Sequence, residues 1–150
     1  MYKIDGIGVH IKVRQFEKSV EFYNALGFKK VFEYGPNKEV KEDYNGVVFD
    51  SGSGKLEIAQ GHRAIKTSVF KESVKSSKIS LMINVSDVSL VIGKAKKAGI
   101  KLAVNPRHYY WGSLEVVIKD PDGVILVFIS PYSEELAKKI KADENFAIKP

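Results

Sequence analysis

His10-Ile11-Lys12-Val13, then Phe16-Glu17-Lys18-Ser19-Val20-Glu21-Phe22-Tyr23, closed by Leu26-Gly27-Phe28, is the stretch whose reading decides the fold. The first four residues alternate in polarity, the period of a strand with one buried face. Phe16, Val20, Tyr23 and Leu26 then recur at helical spacing, and Gly27 supplies the left-handed residue that ends a helix. Lys29 to Tyr34 reads as a second strand. The succession then returns. Ile79 to Val85 alternates, Val88, Ile92, Ala95 and Ala98 form a helical stripe, Gly99 stops it, and Lys101 to Asn105 is extended. Gly99 follows Gly27 by 72 positions, as Val85 follows Val13 and Val88 follows Phe16. A constant offset across strand, helix and stop marks an internal repeat.

The rest of each half agrees. Asn45 to Asp50 and Lys55 to Gln60 are strands joined at Gly52-Ser53-Gly54, and Leu114 to Lys119 and Val124 to Ser130 are joined by Asp120-Pro121-Asp122-Gly123. Each half is therefore strand, helix, strand, strand, strand. Pro36 to Asp43 and Pro106 to Gly112 read as longer loops. Beyond Pro131, Ser133 is placed to cap a helix with a stripe at Leu136 and Ile140. The expected organisation is one domain over 1–150, with repeat 1 at about 6–61, a linker at 62–77, repeat 2 at about 78–131 and a C-terminal helix at 133–142.

Composition narrows the chemistry. With 44% hydrophobic and 28% charged residues, the chain is expected to fold as a globular protein. The absence of cysteine excludes disulfides, zinc ribbons, iron–sulfur clusters and thiol nucleophiles. No apolar run approaches the roughly 18 residues that cross a membrane. Met1-Tyr2-Lys3-Ile4-Asp5-Gly6 has no basic region followed by an apolar core, so a cytoplasmic location and no membrane partner are expected. The net charge of +6 comes mostly from lysine, since Arg14, Arg63 and Arg107 are the three arginines. Scattered lysine solvates a surface, whereas nucleic-acid recognition favours arginine, so no nucleic-acid partner is expected. Lysines also close the helical segments, as Lys94, Lys96 and Lys97 do, where the helix dipole favours them. Gly-x-Ser-x-Gly, phosphate-loop and His-Glu-x-x-His patterns are missing.

Phe16 to Tyr23 with Leu26-Gly27-Phe28, and Trp111-Gly112 followed by Asp120-Pro121-Asp122-Gly123, resemble the vicinal oxygen chelate superfamily over roughly residues 6 to 131. That superfamily includes glyoxalase I, bleomycin-resistance proteins, fosfomycin-resistance enzymes and extradiol dioxygenases. The resemblance implies an α+β fold in which two βαβββ modules form a curved, incomplete mixed β-barrel with a ligand site on the concave face. Val9, Ile11 and Val13 would then face the helix, and Gly8, His10 and Lys12 the cavity. In the repeat, Leu81, Ile83 and Val85 would face the helix, with Ser80, Met82 and Asn84 opposite.

The family's metalloenzymes place one ligand on each of four strands. The resemblance puts these positions at Gly8, Glu57, Ser80 and Val127, of which only Glu57 is a natural ligand. A divalent ion needs several convergent donors, so no metal cofactor is expected. The implied function is metal-independent binding of a small aromatic or cationic molecule, as in the bleomycin-resistance branch. The alternative is a divalent-metal lyase, isomerase or dioxygenase with a displaced site at His10, Glu57 and Glu115.

The ligand-binding candidates are His10, Lys12, Glu57, Met82, Asn84, Tyr109, Trp111, Glu115 and Val117. Trp111, the single tryptophan, sits in the aromatic run Arg107-His108-Tyr109-Tyr110-Trp111, which either meets ligand or packs an interface. Glu57 and Glu115 either receive a cationic or polyhydroxylated ligand or are neutralised by Lys12 or His10. Met82, Val117, Val127 and Phe49 supply an apolar lining. His62 and His108 read as exposed loop residues. A half-closed sheet leaves strand edges, so a homodimer is expected.

Overall fold

In the computed structural model, which describes residue 3 and residues 6–61 and 79–150, the first half runs β1 (Val9–Lys12), α1 (Phe16–Ala25), β2 (Lys29–Tyr34), β3 (Gly46–Asp50) and β4 (Lys55–Ala59). The second half repeats this order with β5 (Ser80–Asn84), α2 (Val88–Lys97), β6 (Val104–Tyr109), β7 (Ser113–Lys119) and β8 (Ile125–Pro131). A short helix α3 (Glu134–Ile140) and a single 3-10 turn (Glu144–Phe146) follow. The chain divides into two units, 1–73 and 74–150. The expected linker, and His62 within it, lies outside the described residues.

Each unit holds one four-stranded mixed sheet, in the order β1-β4-β3-β2 or β5-β8-β7-β6. β1 runs parallel to β4 and β5 parallel to β8, while the other neighbours are antiparallel. The fold class is α+β, with two βαβββ modules and an added C-terminal helix. Gly27 (φ 96°) and Gly99 (φ 71°) both end their helices in the left-handed conformation, which costs glycine nothing.

Alternation sends one face of each sheet under its helix. In the first unit, Tyr23, Phe49, Leu56 and Ile58 are buried, with the Tyr23 ring edge-on to Phe28 and tilted on Phe49. In the second, Val88, Val91 and Ala95 of α2 are buried along with Leu114, Val116, Ile118, Leu126 and Phe128. The helical stripes are rotated from their expected positions. Ser19 and Tyr23 are buried on α1, whereas Phe16 and Val20 are half-buried; on α2, Val91 is buried while Ala98 is exposed. In a ten-residue helix the sheet beneath selects which row is covered, and periodicity leaves neighbouring rows close to equivalent. Lysines close α2 but no basic residue lies in the last turn of α1.

Two expected boundaries are corrected. Of the expected loop from Pro106 to Gly112, only Tyr110 to Gly112 is a turn: β6 begins at Val104, not Lys101, and carries Pro106, Arg107, His108 and Tyr109. Proline is tolerated there because β6 is an edge strand, and a register shift between Val104 and Arg107 absorbs it. The last helix ends at Ile140 rather than Ala142, with Lys141 in the left-handed conformation (φ 52°). Ser133 does cap it, its Oγ accepting from the Leu136 N–H at 3.1 Å.

Gly46 on β3 lies directly beneath the Tyr34 ring, where an added Cβ would stand 2.1 Å from Cζ. Gly46→Ala is therefore expected to cost about 1–3 kcal/mol in urea unfolding, because the ring must leave its rotamer. Unchanged stability would mean that Tyr34 moves aside freely. No helix among the described residues is long and apolar enough to cross a membrane.

Candidate functional site

Strand register assembles a polar group on the uncovered face of the first unit. His10 and Val48 are both register partners of Glu57, while Lys12 and Gly46 pair with Ala59, and Tyr34 with Gly46. The Tyr34 hydroxyl donates to Glu57 Oε1 at 2.5 Å, and His10 Nε2 lies 3.9 Å from the same oxygen. Burial, and then the Glu57 carboxylate that accepts its hydrogen bond, push the Tyr34 phenol far above its ordinary range.

A raised phenol pKa means that the folded state holds its proton more tightly than the unfolded chain. Stability from this group is complete below about pH 10, where an unfolded tyrosine titrates, and declines as pH rises toward the folded value. Tyr34→Phe is expected to flatten the loss of stability between roughly pH 9 and pH 11, a window set by the unfolded tyrosine. Urea midpoints across that window measure it, and parallel decline in both proteins would remove Tyr34 as the cause.

The uncovered face of the second unit carries a larger constellation. Asn84, Ile129, Glu115 and Arg107 are successive register partners across β5, β8, β7 and β6. Glu115 Oε1 accepts from Ser113 Oγ at 2.7 Å and from the Trp111 indole N–H at 3.2 Å. The Trp111 ring lies parallel to Tyr109, with centroids 4.4 Å apart at 6°, and Tyr110 meets it edge-on. Trp111 is still 58% exposed, so the stack with Tyr109 leaves much of the indole open. Behind Tyr109 sits Phe146, and Arg107 places its guanidinium carbon 4.2 Å above the Phe146 ring. An open cleft of about 660 Å³ adjoins this face, bordered by Asn84, Ser86, Ser113, Ile129 and Pro131.

The C-terminal segment is held against β6 by main-chain bonds. Asp143 N–H donates to Pro106 at 2.8 Å, the His108 N–H to Asp143 at 3.0 Å and the Tyr110 N–H to Phe146 at 3.0 Å. His108 is thus not an exposed loop residue. It lies on β6, stacks on Tyr132 at 3.8 Å, and its Nδ1 pairs with Glu144 Oε2 at 2.5 Å.

Among the expected ligand contacts, Tyr109, Trp111, Glu115 and Asn84 fall on one face of one unit. Met82, Val127 and Val117 form the adjacent row of that face, and Met82 is 71% exposed. His10, Lys12 and Glu57 belong to the other unit's uncovered face. Phe49 does not line a cavity: it is fully buried on the helix-covered side against Tyr23 and Phe28. Register explains this, since Phe49 is one residue from Val48, the partner of Glu57. Sequence reading missed Tyr34, Ser113 and Phe146 as members of these groups, and named Arg107 only as part of the aromatic run. Ser113 was within reach, lying two residues from Glu115 on one strand; Phe146 follows no pattern that links it to β6.

The residues at the metal positions implied by resemblance do not fit a divalent ion. Gly8 has no side chain, Val127 no donor and Ser80 only a hydroxyl, while the Glu57 oxygen already accepts the Tyr34 proton. Among the described residues no three of His, Cys, Asp and Glu gather so as to hold a metal.

A family model described as Glyoxalase/Bleomycin resistance protein/Dioxygenase superfamily matches residues 4–128. No curated protein matches the chain. Among solved structures, a hypothetical protein of S. aureus is 23% identical, with 87% of this chain and 94% of that chain covered and a TM-score of 0.58. A glyoxalase/bleomycin resistance protein/dioxygenase from Alicyclobacillus acidocaldarius is 16% identical over 88% and 95%, with a TM-score of 0.59. The bleomycin resistance determinant encoded on the transposon Tn5 is 19% identical over 87% and 100%, with a TM-score of 0.56. At these identities the structural matches show a shared fold.

Proposed function

Because this chain belongs to the Glyoxalase/Bleomycin resistance protein/Dioxygenase superfamily, we propose that it binds a small aromatic or cationic organic molecule without a metal ion. The observation that carries this reading is the Trp111 ring, open to solvent and backed by Tyr109, with its N–H on the Glu115 carboxylate. A flat cation stacked there would gain the ring quadrupole and the carboxylate together. Metal-dependent lyase, isomerase or dioxygenase chemistry at His10, Glu57 and Glu115 has weaker support, since these three do not form a metal-ligating group among the described residues.

Trp111 provides its own readout as the single tryptophan of the chain. Titration with a panel of cationic aromatic amines and amidines, with chelator present, is expected to quench its fluorescence saturably. Calorimetry on Trp111→Ala should then show affinity reduced by about tenfold, as expected for loss of an aromatic anchor. Near-stoichiometric zinc, nickel, manganese or iron in protein purified without chelator, lost in Glu57→Ala, would reverse the ranking. The reading includes a cytoplasmic homodimer as the working form, and light scattering at micromolar concentration should return twice the chain mass.

A further inference from the structure

Arg107 and Glu115 stand directly opposite one another across β6 and β7, yet among the described residues they do not pair. Opposite charges at such positions, with Cβ atoms roughly 5 Å apart, ordinarily stabilise a sheet by joining. Here each is drawn to aromatic neighbours. Arg107 lies over Phe146 and makes one long bond, 3.4 Å, to the Tyr109 hydroxyl. Glu115 is held through Oε1 alone by Trp111 and Ser113, and Oε2 keeps its full acceptor capacity. Most of the guanidinium donors likewise have no bond. A fixed cation and a fixed anion therefore flank one end of an aromatic surface, with their hydrogen-bonding edges unspent.

We propose that Arg107 and Glu115 form a bipolar clamp selecting a zwitterionic aromatic ligand, whose anionic group meets Arg107, whose ammonium meets Glu115 and whose ring stacks on Trp111. This rests on the ligand-binding reading above and narrows it, adding Arg107 as a specificity residue. The opposing positions suit a ligand whose own charges are about one α-carbon apart, because roughly 5 Å between the two side-chain roots leaves no room for a long spacer. A ligand bearing only a cation would leave the half-buried Arg107 without an anion, and one bearing only an anion would leave the carboxylate unmatched. Either omission carries the cost of an unpaired charge beside a partly buried surface.

The probes are L-phenylalanine, phenethylamine and 3-phenylpropionate, which share a ring and carry both charges, the cation only or the anion only. Trp111 fluorescence excited at the red edge follows all three, since none absorbs there. The expected result is L-phenylalanine binding at least about tenfold tighter than either analogue. Arg107→Gln should bring L-phenylalanine down to the affinity of phenethylamine, and Glu115→Gln down to that of 3-phenylpropionate, with melting curves confirming the fold. The wild-type comparison stands even if a variant fails to fold. Equal or tighter binding of phenethylamine overturns the clamp while leaving the cationic-ligand reading intact. Absence of binding by all three at millimolar concentration also overturns it, and the panel of amines and amidines then decides separately whether the site binds ligands.

Discussion

Phe49→Ala should destabilise the protein by about 3–5 kcal/mol, the range for removing a fully buried phenylalanine. Phe49 is 0% exposed, with ring centroids 6.1 Å from Tyr23 and 6.3 Å from Phe28. Deleting it opens a void where α1 meets its sheet, and Tyr23, also fully buried, cannot swing in without leaving its own contacts. A total stability of about 5–15 kcal/mol means that this one change consumes a large share. Urea unfolding at neutral pH measures it. A loss below about 1 kcal/mol would place the ring outside the packed core, since surface changes cost little. Fluorescence of Trp111 in the variant, read below the unfolding transition, should still respond to ligand, because Phe49 belongs to the helix-covered face of the other unit.

The second large effect falls on binding. Glu115→Lys is expected to lower the affinity for cationic aromatic ligands at least about 100-fold, in the range for losing and reversing a hydrogen-bonded charge pair. The substitution removes the acceptor of the Trp111 N–H and of Ser113 Oγ. It also sets lysine opposite Arg107, and like charges at directly opposed strand positions repel. Calorimetric titration beside the wild type measures the change. Affinity within threefold of wild type would mean that the ligand's charge is recognised elsewhere, with Glu57 the next carboxylate to replace. A matched loss of thermal stability is expected to be small, because Glu115 lies on an uncovered face, not in the core.

The repeat at an offset of 72 was legible because strand alternation, helical spacing and a glycine stop are local properties. They survive in any chain that buries one face of each element. The two helix stops, the Ser133 cap and the Asp120 turn followed in the same way, Asp120 Oδ1 accepting from the N–H groups of Asp122 and Val124 at 2.8 Å. The strand through Arg107 to Tyr109 did not. Its proline signals a loop locally, and only an edge position with a register shift makes a strand there acceptable.

Glu57 and Glu115 could be placed on uncovered faces by counting in twos, but what holds each carboxylate could not. Tyr34 reaches Glu57 from 23 positions away because β2 and β4 flank β3 and Gly46 leaves room for the ring. Phe146 reaches Tyr109 and Arg107 because the C-terminal segment bonds to β6. Periodicity thus showed from sequence alone most of the elements and the covered face of most strands, but not β6, the side taken by Phe49 or the buried row of each helix. Tertiary structure decided which side chains meet, because strand order and register join positions that no local period relates.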